Sequence, residues 1–202
     1  MRFSVSRRAV LAGALLLAAG SFTAVGGYAT FTGSSSVAQS IGSGTLTVEL
    51  GAGGTTANRV TVPATAVAPG DTIERAIDLW TGGSVGAASA ALTIEATTSS
   101  LLDSDTTDGL QLVIERCSVA WTESEPEAGV YTYACPGSVS TVLASTPVIV
   151  ADAALGTLDL DGAVNHLRVT LALPATAGNE FQGLSSTVEY TFTAVQRPGT
   201  SR

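Results

Sequence analysis

Short runs of alternating apolar and polar residues recur along this chain, and they constrain its fold more than any other feature. Two of the clearest are VNHLRVTLALP, over 164–174, and LSSTVEYTFTAVQ, over 184–196. Their apolar positions are Val164, Leu167, Val169, Leu171 and Leu173 in the first, and Val188, Tyr190, Phe192 and Ala194 in the second. Because successive side chains of a strand point to opposite faces, each run predicts a strand with one apolar face.

Further strands are predicted at 44–50, 72–80 and 87–98, with a two-stranded hairpin between about 110 and 135. A turn is expected at Pro69-Gly70-Asp71, whereas 136–163 reads as irregular. The spacing, without helical periodicity, predicts an all-β fold: a single-domain, jelly-roll-like β-sandwich of about eight strands over 44–197. Residues 198–202 are expected to form a disordered tail.

The amino terminus has the organisation of a cleaved export signal. Three arginines precede an apolar run over 9–19, and small residues at Gly27 and Ala29 occupy the −3 and −1 positions of a cleavage site before Thr30. The run is shorter than the roughly 20 apolar residues that a spanning helix needs. Residues 1–29 are therefore predicted to be removed, leaving no membrane anchor; an uncleaved anchor is the alternative. The pair in SRRAVL leaves both the general secretory and the twin-arginine routes open.

The charge of the remaining chain excludes some classes of partner. The sequence has no lysine, and without residues 1–29 it keeps six arginines against 17 acidic residues, a formal charge of −11. Such a body is repelled by phosphate backbones and anionic lipid, so nucleic-acid binding is not expected.

Cys117 and Cys135 are the only cysteines, and in an exported protein an even count predicts a disulfide. The expected hairpin register pairs Cys117 with Cys135, Val119 with Tyr133, and Trp121 with Tyr131. A redox or metal-binding thiol pair would need closer spacing or additional ligands.

The residues offer little catalytic chemistry. His166 is the single histidine, there is no H-E-x-x-H or G-x-S-x-G motif, and no catalytic residue or cofactor is predicted. Trp80 and Trp121 are expected to pack against the protein. Because the fold alone does not decide function, a carbohydrate-binding module is kept as one alternative function.

Two acidic stretches raise a calcium hypothesis. DSDTTDG supplies Asp103, Asp105 and Asp108, and DLDG supplies Asp159 and Asp161. Calcium takes oxygen ligands from such loops, but neither stretch has EF-hand spacing, and solvated turns are the alternative.

Four segments, in order, resemble the TasA/camelysin family of secreted biofilm-matrix and surface proteins. They are GGYATFTGSSS, SGTLTVEL, VAPGDTIERAIDLWTGGSVGAASAALTIEA and LRVTLALPATAGNEFQGLSSTVEYTFTAVQ. The resemblance is poor over 99–160, and the cysteine hairpin departs from the best-known fibre-forming members.

The resemblance implies cleavage after Ala29, often by a dedicated signal peptidase, and a structural role in the extracellular matrix. It also implies assembly with itself or with a related fibre subunit, in which the segment from Thr30 to about Gln39 adds as a strand to a neighbour, anchored by Phe31 and Val37. The alternatives are that 30–43 is a flexible arm or an intramolecular edge strand. Because camelysin-like members are described as metalloproteases, a secreted metalloprotease is the alternative function.

Overall fold

A computed structural model describes residues 45–61 and 67–199, all within one compact unit, Ser43–Arg202. The predicted signal peptide (1–29) with its Ala29–Thr30 cleavage site, and the predicted arm (30–43) with Phe31 and Val37, lie outside the described residues. The strands are β1 Leu46–Leu50, β2 Thr72–Gly83, β3 Ala87–Thr98, β4 Gln111–Cys117, β5 Thr122–Glu127, β6 Val130–Ala134, β7 Val139–Pro147, β8 Val150–Leu155, β9 Val164–Ala172 and β10 Thr187–Gln196. Helical structure in this part is limited to one turn, α1 (Leu101–Ser104), and a 3-10 turn, Asn179–Phe181.

The strands form an all-β sandwich, as predicted. One sheet has the order β1-β2-β9-β4-β7, the second has the order β10-β3-β8, and β5 and β6 form a separate hairpin. Antiparallel pairs nest about that hairpin: β4 pairs with β7, β3 with β8 and β2 with β9. This nested pairing is the jelly-roll pattern, in which one long folded-over hairpin wraps into two facing sheets.

The core lies between the two sheets and uses alternate residues of each strand. The five-stranded sheet contributes Ile77, Leu79, Leu112, Ile114, Leu167 and Val169, and the three-stranded sheet contributes Ala90, Leu92, Ile94 and Leu155. The predicted inward positions Leu167, Val169 and Leu173 of the 164–174 run are buried, but Val164 is 44% exposed while Asn165 is fully buried.

The predicted turn before β2 is present. Asp71 N–H donates to Ala68 O at 2.9 Å, and the Asp71 carboxylate accepts from Ala68 N–H at 2.8 Å. Gly70 has φ +92°, a value that a glycine adopts without steric cost. The Pro-Gly-Asp sequence therefore fixes where β2 begins.

Two sequence predictions are wrong. The stretch 136–163 is not irregular, because it contains β7 and β8. The hairpin register is also wrong: β4 ends at Cys117, and the hairpin that follows pairs Glu123 with Tyr133 and Thr122 with Ala134, so neither Val119 nor Trp121 pairs with a tyrosine as expected. The chain leaves the five-stranded sheet after Cys117, before the hairpin begins.

None of the helices in the described ranges is long and apolar enough to cross a membrane.

Candidate functional site: a covered sheet face and an open seam

The β5–β6 hairpin lies over the outer face of the five-stranded sheet. Since Ile77 faces the core, Glu74, Ala76 and Asp78 of β2 face outward, and Ala76 is nonetheless buried. Tyr133 N–H of β6 donates to Glu74 Oε2 at 3.1 Å. The hairpin thereby gives the central strands a second covered face.

The disulfide predicted from the cysteine count is present, and it attaches this hairpin to the sheet. Cys117 ends β4, Cys135 directly follows β6, and their Cα atoms are 5.6 Å apart. Cys117 is 1% exposed. The bridge therefore joins two layers of the fold and not two paired strands of one hairpin.

Arg168, on the outer face of β9, is the centre of the hairpin contact. It donates to Glu74 Oε1 at 3.0 Å, to Glu115, and to the Tyr133 carbonyl at 3.3 Å. Its guanidinium also stacks on the ring of Trp121, 4.6 Å from Cζ to the centroid. Two carboxylates from different strands thus share one cation beneath an aromatic cover.

A second arginine, Arg59, binds the β5–β6 hairpin through Glu123. Arg59 makes a bidentate pair with Glu123, with Nε–Oε2 and Nη2–Oε1 distances of 3.0 and 2.7 Å, and Tyr133 OH donates to the same carboxylate at 2.9 Å. The hydrogen bond from Arg59 holds the pKa of Glu123 below its usual range. Tyr131 lies beside Arg59, 4.6 Å from Cζ to the ring centroid.

His166 lies on this covered face and not at a sheet edge. Its Nδ1 is 2.6 Å from Asp78 Oδ1, and its carbonyl accepts from Trp121 Nε1–H at 3.0 Å. Within the described ranges, no group of three or more histidine, cysteine, aspartate or glutamate side chains is arranged to hold a metal ion.

The three calcium candidates hold the loop before β4 together. The buried Asp103 accepts from Ser99 Oγ, Ser100 N–H and Ser186 Oγ at 2.5–2.7 Å. Asp105 accepts from the backbone N–H groups of Thr107 and Asp108, both at 2.9 Å, and Asp108 accepts from Thr176 Oγ1 at 2.6 Å. Each carboxylate is engaged with protein donors.

The second acidic stretch is organised by a buried amide. Asn165 accepts from Asp159 N–H at 2.8 Å and donates to Asp159 O at 2.7 Å. Asp161 N–H donates to Asp159 Oδ1 at 3.2 Å, and Trp80 Nε1–H donates to Gly162 O at 2.9 Å. This loop therefore packs under Trp80.

The opposite side of the sandwich has an open seam along β10. Of the described strands, only β3 pairs with β10, so one edge of this ten-residue strand has no strand partner there. Val188, Tyr190, Phe192 and Ala194 are half-buried, as the sequence predicted, and the intervening residues are exposed. β10 has no proline, and its register against β3 is regular from Val188 to Val195, with shifts only at its two ends. A long regular edge is a template for pairing with another strand.

Beside this edge, between the sheets, lies a cavity of about 610 Å³, called here the seam cavity. Its walls include Ile73, Leu171, Phe181 and Val188. Arg75 and Tyr190 also line it, and sequence reasoning singled out neither as a site residue. For Arg75, the one indication in the sequence was its place two residues before Ile77, which puts an arginine on the core-facing side of β2.

No protein-family model matches the chain, and no curated protein matches it significantly. The resemblance to the TasA/camelysin family thus depends on the sequence motifs alone and stays a prediction.

Proposed function

We propose that the protein is a secreted, non-enzymatic structural component of the extracellular biofilm matrix or cell surface. It assembles by adding residues 30–39 of one copy, exposed by cleavage after Ala29, to the sheet of another copy. The proposal depends on the edge of β10 with which no other described strand pairs. Main-chain hydrogen bonds to such an edge supply affinity, and pockets for alternate side chains supply register.

The β10 edge suits a strand partner in length and in chemistry. Ten residues span about 33 Å, enough to pair with the whole 30–39 segment. The inward residues of β10 are apolar, so an added strand with Phe31 and Val37 would extend the same buried layer. The disulfide supports export, because such bridges persist in oxidising compartments.

Electron microscopy tests the proposal. Filaments are expected from the purified chain beginning at Thr30 and not from a chain beginning at Gly44. In the longer chain, Phe31→Asp should abolish filaments, whereas Ser34→Asp, which adds the same charge between the proposed anchors, should reduce them far less. Filaments from the Gly44 chain would place the interface elsewhere, and monomers throughout would overturn self-assembly.

A further inference from the structure

The seam cavity combines apolar walls with a buried cation. A volume of about 610 Å³ lies in the range of small-molecule sites, which are mostly apolar with a few placed polar groups. Arg75 is only 6% exposed and lines this space. We propose that the seam cavity binds a small amphipathic carboxylate, such as a medium-chain fatty acid, with the carboxylate at Arg75 and the alkyl chain along the apolar walls.

The position of Arg75 supports the carboxylate end of the ligand. Its Nη1–H donates to Glu74 O at 2.8 Å, and its Cζ lies 5.3 Å from the centroid of the Tyr131 ring. These contacts hold the guanidinium in place at the cavity wall. A guanidinium has five N–H donors in a fork that matches a carboxylate, so a bound acid can share it with these neighbours.

The apolar part of the lining suits an alkyl chain, and the hydroxyl groups of Thr61, Ser185, Ser186 and Thr187 also line the cavity. Ile73, Leu171, Phe181 and Val188 are apolar, and no acidic side chain lines the cavity among the described residues. The Tyr190 hydroxyl can donate to a carboxylate, and burial keeps it protonated by raising its pKa to about 12. Arg75 is the only charged side chain among the described lining residues, and it would repel a positively charged head group.

Calorimetric titration of the purified full chain tests this inference, using decanoate, decanol and decyltrimethylammonium below their aggregation concentrations. Decanoate should bind more tightly than decanol, and the ammonium compound least. Arg75→Gln should weaken the binding of decanoate at least about tenfold, which is the scale of one lost charged hydrogen bond. It should leave the affinity for decanol nearly unchanged. Arg116→Gln removes the same charge from a half-buried arginine that does not line the cavity and donates to Thr157 O, and it should change the binding of neither compound.

Val188→Phe keeps the test decisive if Arg75→Gln does not fold, because filling the cavity should weaken decanoate and decanol together. Three results would overturn the inference: no binding of decanoate, equal binding of decanoate and decanol, or equal losses in Arg75→Gln and Arg116→Gln. Since these titrations need no filaments, the inference stands or fails separately from the proposed assembly.

Discussion

The guanidinium of Arg168 lies over the ring of Trp121 and joins two layers of the molecule, with 4.6 Å between the guanidinium carbon and the ring centroid. Arg168 belongs to the middle strand of the five-stranded sheet, and Trp121 immediately precedes the hairpin that covers it. The same arginine forms ion pairs with both Glu74 and Glu115. The hairpin is therefore attached by a shared cation as well as by a disulfide.

Removing this cation should be costly. Arg168→Met leaves Glu74 and Glu115 facing each other in a half-buried site and unstacks Trp121. We expect a loss of about 2 kcal/mol in the free energy of unfolding, after allowing for the partial exposure of these groups. Urea denaturation measures it, with Arg116→Met as the control. Equal losses in both variants would mean that the cluster contributes nothing specific.

The disulfide should stabilise the same attachment independently. Replacing both Cys117 and Cys135 with serine is expected to lower the free energy of unfolding by about 3 kcal/mol, because the open chain gains entropy when unfolded. Urea midpoints for this variant and for the reduced and oxidised parent chain give the value. If reduction leaves the midpoint unchanged, the bridge has no net effect on stability.

Asn165 should be the most sensitive polar residue of the core. It is fully buried and holds both the N–H and the carbonyl of Asp159. Asn165→Leu leaves those two groups without their hydrogen-bond partner, and we expect it to lower the free energy of unfolding by about 2–3 kcal/mol. Asn179→Leu, at an exposed position of the 3-10 turn, is the matched control. Thermal denaturation compares the two, and similar melting temperatures would contradict the structural role of Asn165.

Acid should weaken the loop anchored by Asp103. Burial alone would raise the pKa of this carboxyl, but hydrogen bonds from Ser186, Ser100 and Ser99 together lower it. A lowered folded-state pKa contributes stability above the unfolded pKa, roughly 3.9, and this is lost as the pH falls through the folded value.

Ser186→Ala therefore should reduce stability at pH 7 by about 1 kcal/mol and by less at pH 3. The free energy of unfolding at both pH values checks this, and Ser104→Ala, which removes an exposed hydroxyl on the same loop, is the control. An equal loss at pH 7 and pH 3 would show that the hydroxyl does not act through the charge of Asp103.

The sequence predicted individual strands better than it predicted their neighbours. The predicted bounds of β3, 87–98, are those of the strand Ala87–Thr98, because this stretch ends in small polar residues that mark a turn. β7 and β8 were not predicted, because their many serine, threonine and alanine residues do not give a clear alternation of apolar and polar positions. β8 also contains Asp152, whose φ is +49°. The existence of the disulfide could be inferred from composition, but its geometry depended on where the chain turns after Cys117.

The candidate sites were mostly beyond sequence reasoning, for a physical reason. Arg59 and Glu123 are 64 residues apart, and Arg168 and Glu74 are 94 apart. The pairing of β2 with β9 brings Arg168 to Glu74, and the position of the β5–β6 hairpin beside the loop before β2 brings Glu123 to Arg59. No local sequence pattern encodes either arrangement. Likewise, an arginine within a strand normally indicates a solvent-facing position, and only the place of Arg75 two residues before Ile77 indicated that it lies on the core-facing side of β2.

Alkaline titration should report on the seam cavity through Tyr190. Burial raises the pKa of Tyr190 to about 12, while an unfolded tyrosine titrates near 10. Between these values the unfolded chain loses the proton first, so stability should fall as the pH rises from about 10 to 12. Tyr190→Phe removes the ionising group and should flatten this decline. Because burial, with the hydrogen bond to Glu123, also raises the pKa of Tyr133, Tyr133→Phe is the comparison variant. Urea denaturation at pH 8 and pH 11 gives the slopes; an unchanged slope in Tyr190→Phe would show that Tyr190 is not protected from ionisation by the sandwich.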